Sequence, residues 1–227
     1  MIGIFDSGMG GFITLSELRR LKPGENICFL RDRKNSPYGT KREEELLEII
    51  NANVARLRAA GADKILMACC TASTLYDRLA EREKSICTPI IRPTAKAASL
   101  ATKSGRIGVL ATRRTVESGA FKAALFDIDP TLIVTEIEAQ SLVATVEAGG
   151  SDESATAAQK SDIYRLTAPL REKGIDTLIL GCTHFPAFKH SIGECLSGVN
   201  IISAAKIGAQ EISRKTNSAG KARLICL

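Results

Sequence analysis

One string that occurs twice, half a chain apart, constrains this sequence most. Gly61-Ala62-Asp63-Lys64-Ile65-Leu66-Met67-Ala68-Cys69 reads against Gly174-Ile175-Asp176-Thr177-Leu178-Ile179-Leu180-Gly181-Cys182. Each is a glycine turn, an Asp, an apolar strand, a small residue and then a cysteine. A second echo pairs Ile2-Gly3-Ile4-Phe5 with Ile107-Gly108-Val109-Leu110, and the offsets are 113 and 105 in a chain of 227 residues. Two echoes in the same order predict two similar halves, each with an opening strand and a later strand that ends in cysteine.

Apolar runs alternate with helical patterns along the chain, which is the α/β signature. Strands are expected at Ile2–Phe5, Ile27–Leu30, Lys64–Ala68, Ile107–Leu110, Leu132–Glu136, Thr177–Leu180 and Asn200–Ser203. A Thr40/Glu43 capping box opens a helix whose Leu46, Ile50, Val54 and Leu57 share a face. Thr14 and Glu17 form a second box. A further helix spans Ser154–Lys173, kinked by Pro169. The fold class is therefore α/β: two pseudo-symmetric lobes with mainly parallel sheets and a cleft between them. The expected division is a first lobe over residues 1–95 and a second over 96–204, with about 205–227 returning to the first.

No apolar run reaches the roughly 18–20 residues of a membrane span, and Met1–Asp6 lacks the basic and apolar regions of a signal peptide. With seven cysteines, an odd count, free thiols in a cytoplasmic protein are expected. Cys28, Cys87, Cys195 and Cys226 read as small buried hydrophobes. The charge of +6 is spread out and aromatic residues are 4%, so a small acidic ligand explains it better than nucleic acid does.

Ligands of open α/β sheets bind beyond the carboxyl ends of strands, where Cys69 and Cys182 are expected. Two half-chains would place one thiol on each side of a ligand. Inverting an α-carbon needs a base on one face and an acid on the other. A thiol of pKa about 8.5 does this when one partner is thiolate and the other is not. His184, two residues after Cys182, is the natural tuner of that thiol. Asp6-Ser7-Gly8-Met9-Gly10-Gly11 follows the first strand; its glycines allow close approach, and Ser7 with the loop amides could hold a carboxylate. By itself Asp6 reads as a helix cap and Glu147 as a solvated helix end. Ser36-Pro37-Tyr38-Gly39-Thr40 is a second loop toward the cleft, and Thr112 with Thr115 opens the matching loop of the second half. Zinc is the rival use of Cys69, Cys70, Cys182 and His184, but their spacing is not that of a chelating site.

In this order the motifs resemble the glutamate racemases of the aspartate/glutamate racemase superfamily. The strings are Ile4-Phe5-Asp6-Ser7-Gly8-Met9-Gly10-Gly11, Pro37-Tyr38-Gly39-Thr40-Lys41, Ala68-Cys69-Cys70-Thr71-Ala72-Ser73, Pro93-Thr94-Ala95-Lys96-Ala97-Ala98, Thr115-Val116-Glu117-Ser118-Gly119-Ala120, Val146-Glu147-Ala148-Gly149 and Gly181-Cys182-Thr183-His184-Phe185-Pro186. The resemblance implies interconversion of L- and D-glutamate without cofactor or metal, for peptidoglycan, by a cytoplasmic homodimer. It implies that Cys69 and Cys182 exchange the proton and that Asp6, Glu147 and His184 tune them. Ser7, Tyr38, Gly39, Cys70, Thr71, Thr115 and Thr183, with Asp6 and His184, are the implied substrate contacts. The family has Asn where Cys70 stands, so another acidic substrate such as aspartate, or a glutamate-binding relative with little turnover, are the alternatives. Arg92 stands where the family often has Glu, and Arg113-Arg114 add charge near the cleft.

Overall fold

The computed structural model describes residues 1–216 and 222–227. Among these residues the strands form two sheets, and every pairing is parallel. In chain order the strands are β1 (Ile2–Asp6), β2 (Ile27–Arg31), β3 (Lys64–Met67), β4 (Cys87–Pro89), β5 (Arg106–Ala111), β6 (Ile133–Glu138), β7 (Thr177–Gly181), β8 (Asn200–Ser203) and β9 (Leu224–Cys226). The sheet orders are β4-β3-β1-β2-β9 and β6-β5-β7-β8. Read in opposite senses, β1 corresponds to β5 and β3 to β7, so the two repeated strings occupy equivalent places beside equivalent central strands.

The repeat has a physical basis at each position. Gly61 and Gly174 have φ of +92° and +61°, a left-handed conformation that ends the preceding helix at little cost. The central strands carry Gly3 and Gly108. A Cβ there would lie 2.9 Å from Ala62 and 2.6 Å from Ile175, so both glycines let the turn pack onto the sheet. Asp63 accepts from the Met1 amine at 3.0 Å, and Asp176 accepts from the Lys103 and Ser104 amides at 2.7 and 2.6 Å. Each Asp thus pins the chain just ahead of the central strand of its half.

β1, β3, β5 and β7 are almost wholly buried, as continuous apolar strands of parallel sheets must be. One apolar layer joins the sheets: Ile4 and Leu66 from the first, Val109 and Ile179 from the second, and Ala95, Phe121 and Ala209 from helices. The helix Glu43–Ala59 covers the outer face of the first sheet with Leu46, Ile50, Val54 and Leu57, the expected face. The helices Gln140–Glu147 and Ala157–Glu172 cover the second. The expected division after residue 95 falls inside the helix Ile91–Ala101. Of the returning segment, Asn217–Lys221 lie outside the described residues, and β9 adds to β2 in register Ile27 with Leu224.

Several local expectations need correction. Thr40 sits in a short turn, donates to the Pro37 carbonyl and is followed by Arg42 as the residue before the helix, so it forms no capping box. The first helix begins at Gly11, which buries Thr14 one turn inside it. Capping boxes do form at Thr156/Gln159, which opens the helix Ala157–Glu172, and at Ser151/Ser154, so Ser154 belongs to the turn before that helix. Cys28 and Cys87 are buried, Cys195 only partly, and Cys226 is exposed.

Candidate active site

The carboxyl ends of β1, β3, β5 and β7 converge, bringing Asp6, Cys69, Thr112 and Cys182 to one closed cleft. Cys69 and Cys182 are only 5% and 6% exposed. Burial pushes the Cys69 thiol up to about 11, with the Asp6 carboxylate adding to it, while the amides of Ala72 and Thr71 favour its thiolate. Its sulfur lies 3.6 Å from the Ser7 hydroxyl. Burial also raises Cys182 well above its ordinary value, opposed by the His184 amide.

The glycine loop presses onto the opposite lobe. A Cβ on Gly10 would fall 2.4 Å from Thr183 Oγ1, and one on Gly8 1.9 Å from Glu147 Oε1. The loop amides are taken by the protein's own carboxylates: Gly8 donates to Asp6 Oδ1 at 2.9 Å and Met9 to Glu147 Oε1 at 2.6 Å. Thr183 donates to Asp6 Oδ2 at 2.9 Å. Burial raises the Asp6 pKa against the pull of His184 and these donors.

Behind Cys182 runs a polar chain. Its Sγ is 3.5 Å from His184 Nδ1, and His184 Nε2 is 2.6 Å from Glu147 Oε1. Burial would raise Glu147, but His184, the Met9 amide and Arg31 outweigh it and hold the carboxyl below its usual range. An ionised carboxylate only accepts, so Nε2 carries the proton and Nδ1 faces the sulfur as an acceptor when the ring is neutral.

The other side of the cleft is lined by hydroxyls. Thr71 Oγ1 lies 2.9 Å from Thr112 and 3.2 Å from Thr115, and Thr112 accepts from the Thr115 amide. Tyr38 is buried and donates to Asp32 Oδ2 at 2.6 Å, so burial and Asp32 keep its phenol protonated. Asn53 donates to Asp32 at 2.9 Å and lies 2.8 Å from the Tyr38 oxygen, which locks the Tyr38–Gly39 turn. Gly39 abuts the second lobe: a Cβ on it would lie 2.2 Å from Gln140 Oε1.

Of the residues expected from sequence, Asp6, Ser7, Cys69, Glu147, Cys182, Thr183 and His184 form one connected cluster, and Thr71 and Thr115 form the adjoining hydroxyl group. Tyr38 reaches the cleft through its backbone turn, its hydroxyl being used by Asp32. Cys70 belongs to the apolar layer between the sheets; its carbonyl accepts from the Thr74 amide, and its thiol is buried in that layer. Four residues were not anticipated. Arg31 pairs with Glu147 at 3.0 Å, Asp32 and Asn53 brace Tyr38, and Gln140 packs its unpartnered Oε1 against Gly39. A charged residue ending the buried strand β2 was the available signal for Arg31; Gln140 had none.

Two lobes of parallel sheet, with one thiol at the end of an equivalent strand in each, define a doubled α/β protein built around a shared cleft. The chain belongs to the Asp/Glu/hydantoin racemase family, whose model matches residues 27–212. It is 37% identical over 196 residues to the glutamate racemase of Desulforudis audaxviator, covering 86% of this chain and 71% of that one. Its fold matches a glutamate racemase isoform of Bacillus anthracis with a TM-score of 0.88 at 32% identity, covering 100% of this chain and 88% of the other. A glutamate racemase from Francisella tularensis, solved with D-glutamate, matches with a TM-score of 0.88 at 25% identity, over 99% and 87% of the two chains.

Proposed function

We propose that the protein interconverts L- and D-glutamate by a two-base mechanism in which Cys69 and Cys182 act from opposite faces of Cα. The observation that carries this reading is the pair of buried thiols at equivalent strand ends, each beside groups that favour its thiolate. One thiolate removes the α-proton and the opposing thiol returns one to the other face, so the carbon is inverted and no redox change occurs. Resting thiols with raised pKa values require substrate to assist ionisation, and the α-ammonium of an amino acid supplies a cation beside them. Asp6, Ser7, Tyr38, Gly39, Thr71, Thr115 and Thr183 bind or orient the substrate, and His184 with Glu147 sets the proton position on the Cys182 side. Cys70 borders the site from the apolar layer. The residue set needs no cofactor or metal. No helix among the described residues is long and apolar enough to cross a membrane. We place the protein in the cytoplasm as a homodimer supplying D-glutamate for peptidoglycan, with the two lobes parting to admit substrate.

The test is circular dichroism of L-glutamate with the protein in deuterated water, with L-aspartate in parallel. Decay of the signal to zero with deuterium at Cα is expected, and both Cys69→Ala and Cys182→Ala abolish it. Full activity of either variant overturns the mechanism. Faster turnover of aspartate than of glutamate overturns the substrate.

A further inference from the structure

Glu147 has a partner in the opposite lobe that the two-thiol mechanism does not use. Arg31 ends β2, in register with Asp6 at the end of β1. Its Nη2 donates to Glu147 Oε2 at 3.0 Å, while Oε1 is taken by His184 and the Met9 amide. The guanidinium also lies 5.9 Å from the centre of the Phe12 ring, and Phe12 packs on Phe29 with centroids 5.1 Å apart, so Arg31 is braced on its own lobe. The charged or titratable groups facing this chain are Arg31 and His184 around Glu147, and Asp6, Glu147 and Cys182 around His184.

We propose that Arg31 is a positioning residue: reaching across the lobe boundary, it holds Glu147 on the His184 ring and thereby fixes which ring nitrogen faces Cys182. The inference rests on the two-thiol reading of the site. Glu147 stands at the last turn of an eight-residue helix and is 26% exposed, so it has room to adopt other rotamers. Its hold on Nε2 requires both oxygens to be occupied, and Arg31 occupies the outer one. Without Arg31, Oε2 turns to water and the partly exposed carboxylate rotates off its two Oε1 donors part of the time, which leaves the ring free to place its proton on Nδ1. That tautomer presents a donor to Cys182, which suits the thiolate but cannot receive the thiol proton. Because the pair also joins the lobes, Glu147 is seated on the ring only when the cleft is closed.

Arg31→Ala and Arg31→Lys are compared with the wild type in two ways. Nitrogen-15 shifts of His184, assigned with His190→Gln, report the tautomer without any need for turnover. Wild type is expected as the Nε2–H form, Arg31→Ala as a mixture, and Arg31→Lys close to wild type. In the racemase assay Arg31→Ala loses about ten- to a hundredfold in kcat, as a displaced supporting group does, with KM changed less than threefold because its guanidinium is engaged by Glu147. Arg31→Lys recovers most of the rate. An unchanged His184 tautomer in Arg31→Ala overturns the proposal. So does a loss confined to KM. A wild type that shows the Nε2–H form yet never racemises glutamate defeats the functional reading and leaves the positioning result standing on the shifts.

Discussion

Gly8→Ala tests the closed geometry most directly. The backbone at Gly8 does not have a positive φ, so alanine meets no conformational barrier there. The difficulty is space: the new Cβ would lie 1.9 Å from Glu147 Oε1 and 2.9 Å from His184 Nε2. Restoring ordinary contact at 3.4 Å requires Oε1 to move by about 1.5 Å. That displacement breaks its 2.6 Å contacts with the Met9 amide and His184. A hydrogen bond to a charged group is worth roughly 1.5–3 kcal/mol, and the partial exposure of Glu147 favours the lower end. Losing about 2–3 kcal/mol of organisation behind Cys182 corresponds to a fall of roughly 30- to 140-fold in kcat, at about 1.4 kcal/mol per tenfold. The assay is glutamate racemisation by circular dichroism, run as a double-mutant cycle with Glu147→Ala. If Glu147 mediates the effect, Gly8→Ala costs almost nothing in the Glu147→Ala background. Equal losses in both backgrounds, or wild-type kcat in Gly8→Ala, refute the reasoning.

Cys70 packs in the apolar layer, so Cys70→Ala is expected to keep kcat within about threefold, whereas Cys70→Ser buries an unpaired hydroxyl and costs about 1–3 kcal/mol in urea unfolding. A large rise of KM in Cys70→Ala would restore a substrate contact for it. Tyr38→Phe removes a donor from Asp32, whose pKa burial would raise but Tyr38, Asn53 and Asn35 hold down. A loss of about 1–3 kcal/mol in the same unfolding assay is expected, with little change in kcat. Asp176 is held well below its usual pKa because donation from Thr102, Ser104 and Lys103 outweighs burial. A depressed folded-state pKa stabilises above the unfolded value of about 3.9 and loses that contribution as pH falls below it. The stability gap between wild type and Asp176→Asn is thus present at pH 7 and narrows toward pH 3; a gap constant with pH would refute this.

The central strands were legible because burial on both faces forces continuous apolar runs, and the repeat marked two halves. The edge strands β4 and β9 were not. Each has three residues, too few for any period to register, and Pro89 argues against a strand although an edge tolerates it. Helix starts failed for a local reason. Thr40 carries the right side chain at the right spacing, yet the Pro37 carbonyl takes its hydroxyl and the helix begins three residues later. At Thr156 no such competitor exists, and the box forms.

In the site, what was legible was local: a cysteine after a buried strand, a histidine two residues on, glycines where chains approach. What was hidden lies between residues far apart in sequence. Glu147 looks like a solvated helix end and is partly that; its meaning comes from His184, Met9 and Arg31, the last 116 residues away. The repeat builds a symmetric scaffold, but the residues around the thiols do not repeat. Cys69 has Ser7 and two backbone amides, whereas Cys182 has an imidazole, a carboxylate and a guanidinium in series. Such asymmetry is compatible with racemisation, since enantiomers have equal free energy and kcat/KM must be the same in both directions whatever the site looks like. Unequal surroundings act only on where the proton rests, and so on kcat and KM separately. A perturbation on the Cys182 side should therefore change the two enantiomers' kcat values by different factors while their kcat/KM values fall together.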